Sequence, residues 1–193
     1  MTPEDVMKSI EAEAPRRGLP IIGPVRGMIL DEVVTDHRPS SILEVGTLVG
    51  YSAIRMGRHL RKGQSITCVE LKDELAQVAR KNIELAGLSS RITVKVGDAK
   101  KVLPTLEGGY DMVFLDAAKD EYLGYLKSVE RLLHKGSVVV ADNVKSHASE
   151  VAGYLDYVRN SGNYSSEYRE SANNFRYGQG RFEADAVEIS VKL

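Results

Sequence analysis

The sequence predicts an α/β protein built on a doubly wound, mostly parallel sheet of seven strands, with an antiparallel last strand. Three observations carry this. Five short apolar runs, at 42–46, 66–70, 92–96, 111–115 and 137–141, alternate with stretches of helical spacing at 50–60, 72–87, 100–106, 120–133 and 147–160. Strands that alternate with helices pair in parallel and are covered on both faces, which is why they read as near-continuous apolar runs. The tail "ADAVEISVKL" sets Ala186, Glu188, Ser190 and Lys192 against Val187, Ile189, Val191 and Leu193. That period of two predicts a half-buried terminal strand, antiparallel and paired with another strand near 164–169. No internal repeat or linker interrupts the pattern, so residues 1–193 are expected to form one domain, with 1–38 as a helical cap.

Within that cap, residues 4–14 have amphipathic spacing, and Pro15 and Gly18 are expected to close the helix. A second helix is expected over 24–37, with Pro24 in its first turn, where the missing N–H costs nothing. The bulk composition narrows the function classes. With 42% hydrophobic residues, the 193-residue chain can bury a substantial core. Its 26 basic and 27 acidic residues nearly cancel, which disfavours a nucleic-acid binder. The short basic clusters Arg16-Arg17 and Arg58 to Lys62 read as solvated faces. Cys68 is the single cysteine, so no intrachain disulfide can form, and its run "SITCVEL" reads it as a small buried hydrophobe. No run approaches the roughly 20 apolar residues of a membrane span. The acidic start "MTPEDVMKSIEAEAP" does not resemble a signal peptide. A soluble, cytoplasmic protein is expected, with a small-molecule partner, no nucleic acid and no membrane, and a homodimer as a candidate assembly.

The ends of the strands carry the chemistry. In such sheets ligands bind beyond the carboxyl ends of the strands. The fourth run ends on Asp116 and the fifth runs into Asp142 and Asn143, so all three are expected at one crevice, with Glu44, Gly46 and Glu70 along the same edge. The stretch "LEVGTLVGYS" is a strand, a Gly46-x-x-x-Gly50 turn and a helix start, and Glu70 closes the next strand. A carboxylate there can accept both hydroxyls of a ribose, which points to an adenosine-type ligand. A dinucleotide needs G-x-G-x-x-G to bring its pyrophosphate against the backbone, whereas here Thr47 and Leu48 follow the first glycine. Glu44 at the loop would repel a phosphate and tolerate a cation. S-adenosylmethionine, with a sulfonium, an ammonium and no phosphate, suits the loop better. Asp98, in "VGDAKK", is placed either to bind an adenine amino group or to cap the following helix.

The stretches "LEVGTLVGYSAIRMGRHL", "DMVFLDAAKDEYL" and "LLHKGSVVVADNV" together resemble the metal-dependent O-methyltransferases of the catechol and caffeoyl-CoA type, catechol O-methyltransferases above all. The similarity runs in order over roughly 20–145. It implies the Rossmann-like fold of the class I S-adenosylmethionine-dependent methyltransferases, with a reversed last strand. It implies that Asp116, Asp142 and Asn143 bind Mg²⁺ and that Lys119 takes the proton from the acceptor hydroxyl. Glu70 would hold the ribose, with Leu71 beside it. Glu44, Gly46 and Ser52 would line the methionine end, Asp98 and Ala99 the adenine end, and Ile22 and Gly23 would close over the cofactor, with Asp116 serving cofactor and metal alike. Two departures stand out. Ala117 and Ala118 replace the family's histidine and tryptophan, so the pocket mouth is expected to be wider or differently lined. Gln179 lies nearest the family's hydroxyl-binding glutamate.

The residues support the same chemistry on their own. Three oxygen donors without a clustered histidine favour Mg²⁺ over Zn²⁺. The four histidines, 37, 59, 134 and 147, are scattered and read as surface groups. More ordinary roles are open for each site residue: Lys119 as an exposed helix-start lysine, Asp116 as a helix N-cap and Asp142-Asn143 as an Asx turn. Three rival functions follow. An NAD(P)-dependent oxidoreductase would reveal itself by nicotinamide binding. A methyltransferase acting on RNA or an amino group often carries an Asp/Asn-Pro-Pro-aromatic motif, and this chain has no Pro-Pro. A non-catalytic binding module would be expected to have lost part of the Asp116, Lys119, Asp142 and Asn143 set.

Overall fold

The computed structural model describes residues 1–171 and 184–193. Helix α1 (Pro3–Arg17) begins with a capping box, in which Thr2 and Asp5 bond each other's backbone amides. It runs through Pro15 and does not stop there. Proline already holds a helical φ and forfeits one hydrogen bond in the last turn, so the stop comes at Gly18, in the left-handed region at φ 61°. Helix α2 (Gly23–His37) starts one residue earlier than the sequence suggests and has no side-chain cap.

Strands β1 (Ser41–Val45), β2 (Ser65–Glu70), β3 (Ile92–Val96), β4 (Tyr110–Leu115), β5 (Leu133–Ala141), β6 (Tyr164–Ser171) and β7 (Asp185–Lys192) form one sheet in the order β3-β2-β1-β4-β5-β7-β6. β7 is antiparallel to both of its neighbours, and the other pairings are parallel. β5 extends four residues upstream of the expected start. Its His134, Lys135 and Gly136 are exposed and polar, so they give no apolar signal.

Helices α3 (Tyr51–Gly57), α4 (Asp73–Leu85), α5 (Ala99–Val102), α6 (Tyr122–Val129) and α7 (Ala152–Asn160) complete the layers. Short 3₁₀ turns flank α6 and follow α5, which trims the longer helices expected there. Period-two alternation splits the strands between two cores. Ile42, Cys68, Met112, Phe114 and Val140 pack with α1–α4, while Leu43, Val69, Val113, Leu115 and Val139 pack with α5–α7.

The terminal strand departs from the half-buried expectation. Asp185–Ser190 are buried, because β7 lies inside the sheet between β5 and β6 while Val187 and Ile189 pack into one core and Ala186 into the other. Its alternate polar positions are satisfied internally. Buried Glu188 accepts two hydrogen bonds from Arg159, at 2.7 and 2.6 Å, and Ser190 pairs with Ser166.

Candidate active site

The chain winds outward from β1 through β2 to β3, then returns to the other side of β1 with β4 and β5. Strand order therefore reverses between β1 and β4, the place where an open α/β sheet leaves a crevice at its carboxyl edge. A cavity of about 700 Å³ lies there. Ile22, Gly46, Ser52, Glu70, Leu71, Asp98, Ala99, Asp116, Lys119 and Asn143 border it. The sequence thus brings together residues from six separate segments.

The glycine loop is shaped by close approach. Gly46 has φ 93°, and a Cβ there would lie 2.4 Å from the Asp116 carbonyl oxygen. Leu48 also adopts a left-handed φ of 52°, rare outside glycine. Glu70 holds this turn: its Oε2 accepts the backbone amides of Thr47 (3.2 Å) and Leu48 (2.8 Å), and its Oε1 accepts that of Lys72 (3.0 Å). In a phosphate-binding loop such amides face the anion. Here a protein carboxylate already has two of them.

Glu44 is not a wall residue. It sits in β1, fully buried beneath the loop, and reaches the cavity through Ser52, whose Oγ donates to Glu44 Oε1 at 2.5 Å. Burial raises its carboxyl from 4.5 to about 7, nearby Asp116 pushes the same way, and the Ser52 hydrogen bond pulls it back. Cys68 is buried against it, as a small hydrophobe on β2. Asp98 does cap, accepting the Lys100 amide at 2.9 Å, and also borders the cavity. Ile22 borders the cavity as a buried residue, and Leu71 as an exposed one.

At the other end, Lys119 is not an exposed helix-start lysine. Its ammonium donates to Asp116 Oδ1 at 2.7 Å and to the Tyr122 hydroxyl at 2.8 Å, and that hydroxyl donates to the Asp142 carbonyl at 3.1 Å. Asp116 caps nothing; Ala118 stands at the following N-cap.

Asp142 is fully buried and does not border the cavity. Arg26 of α2 covers it, with Nη2 donating to Oδ2 at 3.0 Å and Nε 2.6 Å from Oδ1. Burial raises the Asp142 carboxyl to about 6, Asp116 adds to this, and Arg26 opposes it. Asn143 adopts φ 59° and donates its amide to Asp185 Oδ2 at 2.7 Å. Asp185 also accepts from Ser146 and from the backbone amides of Lys145, Ser146 and Ala186. Burial works against ionisation, yet those hydrogen bonds hold its carboxyl down at about 2. Asp185 thereby fixes the turn after β5, and α7 begins at Ala152, not at 147.

Arg26, Tyr122, Asp185 and His147 were not expected at the site. His147 borders the cavity, with Nδ1 2.8 Å from Ser146 Oγ, while His59 and His134 pair with Asp31 and Asp111. Among the described residues no three His, Cys, Asp or Glu side chains converge as a metal cluster. The donors at this corner are two carboxylates and one amide. Gln179 lies outside the described residues. No helix among them is long and apolar enough to cross a membrane.

Comparison with known proteins identifies the family and the fold. Residues 11–159 match the family model described as O-methyltransferase. Catechol O-methyltransferase from Sus scrofa is 39% identical over 150 residues, covering 74% of this chain and 80% of the relative. Catechol O-methyltransferase from Mus musculus is 34% identical over 170 residues, covering 84% of this chain, which spans only 63% of that relative's length. The O-methyltransferase of Bacillus cereus, solved in complex with SAH, shares the fold with a TM-score of 0.85 at 24% identity, covering 98% of this chain and 91% of that one. The chain belongs to the O-methyltransferase family.

Proposed function

We propose that the protein transfers a methyl group from S-adenosylmethionine to a hydroxyl of a small catechol-like or vicinal-diol acceptor, with Mg²⁺ at the Asp116–Asp142–Asn143 corner. One observation carries this reading. The Lys119 ammonium is held by Asp116 and Tyr122 at one end of the same cavity whose other end is built by Glu70 and the glycine loop.

The donor chemistry fits a hard cation. Asp142 Oδ1 is buried without a hydrogen bond among the described residues. Asn143 commits its amide nitrogen to Asp185, which leaves its amide oxygen as the acceptor. Two carboxylate oxygens and an amide oxygen suit Mg²⁺, which retains open positions for other oxygen ligands. Bound there, the ion would chelate two neighbouring hydroxyls and lower the pKa of one. S-adenosylmethionine supplies the sulfonium-bound methyl.

The chain's own residues do the rest. Thr47 and Leu48 occupy Glu70 Oε2 and Lys72 takes one site on Oε1, which leaves one lone-pair site on Oε1 to accept a ribose hydroxyl. Ile22 and Leu75 supply apolar wall to the same cavity. Lys119, as the free amine, takes the acceptor's hydroxyl proton at Nζ, and Asp116 and Tyr122 fix the direction of that atom. Ala117 and Ala118 present only methyl groups to the cavity, so the acceptor end admits rings with bulky substituents. The amides already bonded to Glu70 speak against a dinucleotide pyrophosphate in this loop.

The test is product formation from S-adenosylmethionine and a panel of catechols, flavonoids and acyl-CoA phenols, with Mg²⁺ or with chelator. Methylated product that disappears with chelator supports the reading. No product from any vicinal diol or phenol would refute it.

A further inference from the structure

We propose that Arg26 is a built-in rival of the metal for Asp142, so that cation binding requires the guanidinium to leave the carboxylate. This rests on the metal reading above.

The pair is buried at both ends: Arg26 is 4% exposed and Asp142 0%. A well-seated guanidinium would bond both carboxylate oxygens in parallel. Here only Nη2–Oδ2 is a hydrogen bond, while the 2.6 Å Nε–Oδ1 approach is too bent to be one. Arg26 Nε, Arg26 Nη1 and Asp142 Oδ1 are consequently buried polar atoms without hydrogen bonds, all in one corner. Buried polar groups are rarely left so, and three together mark a place that another partner, such as an ion, would satisfy. The carboxylate oxygen left without a hydrogen bond, Oδ1, is the one Arg26 Nε stands against at 2.6 Å.

Charge points the same way. Asp116, Asp142 and Asp185 carry three negative charges and Lys119 and Arg26 two positive ones, a formal sum of −3 + 2 = −1; all three carboxylates act on Arg26. A divalent ion added to that set makes it +1. With Arg26 withdrawn and Lys119 an ammonium, its state before any acceptor binds, the same ion neutralises the cluster. In a poorly solvated corner the neutral combination is favoured, and two cations on one carboxylate are not. Arg26 thus neutralises Asp142 when no metal is bound, and its removal is a cost that every incoming ion bears.

The test is calorimetric titration of Mg²⁺, without acceptor or methyl donor, into wild type, Arg26→Met and Arg26→Lys, alongside thermal melting with and without Mg²⁺. The methionine variant should bind Mg²⁺ about tenfold more tightly, equivalent to removing a rival worth ~1.4 kcal/mol. The lysine variant, a single-point donor in place of a fork, should fall between. Arg26→Met should also melt lower than wild type without metal and gain more from saturating Mg²⁺. Equal or weaker Mg²⁺ binding by the variants, with normal binding by wild type, overturns the rivalry and leaves the metal site standing. Failure of every protein to bind Mg²⁺ overturns both. If the methionine variant does not fold, the lysine variant decides alone: affinity at or below that of wild type refutes the proposal.

Discussion

Lys119 and Tyr122 are joined by a 2.8 Å hydrogen bond in which the phenol accepts, because its own proton is given to the Asp142 carbonyl. One turn of chain therefore connects the proposed base to the end of the neighbouring strand, and the direction of the ammonium is set by packing. Tyr122→Phe keeps the buried ring and removes only this link. It should lower kcat about tenfold, the value of one hydrogen bond of ~1.4 kcal/mol, with little change in affinity for S-adenosylhomocysteine. Steady-state kinetics with calorimetry checks this; unchanged kcat would take Tyr122 out of the site.

Glu70 holds the glycine loop and is the proposed acceptor for the ribose. Glu70→Ala should weaken binding of S-adenosylhomocysteine by about ten- to a hundredfold, since hydrogen bonds to a charged group contribute ~1.5–3 kcal/mol each. The freed Thr47 and Leu48 amides should loosen the glycine turn as well, visible as faster hydrogen exchange there. Equal affinity in variant and wild type would remove Glu70 from the cofactor site.

Glu44 gives the protein a pH-dependent term whose sign can be worked out. Its carboxyl titrates near 7 when folded against an ordinary value of 4.5. Between those values the folded chain keeps a proton that the unfolded chain has released. The contribution is fully present below the ordinary value and is lost as pH rises through about 7. A displacement of this size corresponds to on the order of 3 kcal/mol. Glu44→Gln cannot ionise, so it should gain stability relative to wild type as pH is raised from 5 to 8. Urea denaturation at both pH values measures this, and a pH-independent difference would contradict it.

Asp142→Ala should abolish Mg²⁺-stimulated methyl transfer and leave cofactor binding largely intact. It also strands Arg26 as a buried charge, for which a loss of about 3–5 kcal/mol in stability is expected. Full activity in a folded Asp142→Ala protein would refute the metal assignment.

The strands, and with them Asp116, Asp142 and Asn143, were legible because apolar runs announce where a parallel sheet ends. Lys119 was singled out only through the family resemblance of its stretch, since a lysine at a helix start looks like any exposed one. Arg26 was not: its partner lies 116 positions away, and nothing local distinguishes it from any helical arginine. Asp185 is joined to Asn143 across 42 positions and looked like the polar start of a tail strand. That strand was misjudged as half-buried because alternation reports residue polarity, whereas Glu188 is buried with a partner supplied by Arg159 on α7. Glu44 was read as a loop residue because the strand end and the turn are adjacent in sequence. Which way its side chain points depends on the pleat.

The most direct measurement is calorimetric titration of the protein with S-adenosylhomocysteine, NADH and NADPH in turn, with Mg²⁺ present throughout. Binding of S-adenosylhomocysteine alone, lost or strongly weakened in Glu70→Ala, is the predicted result. Binding of a nicotinamide dinucleotide in its place would show that the glycine loop accepts a pyrophosphate after all, and would contradict the methyl-transfer account at its base.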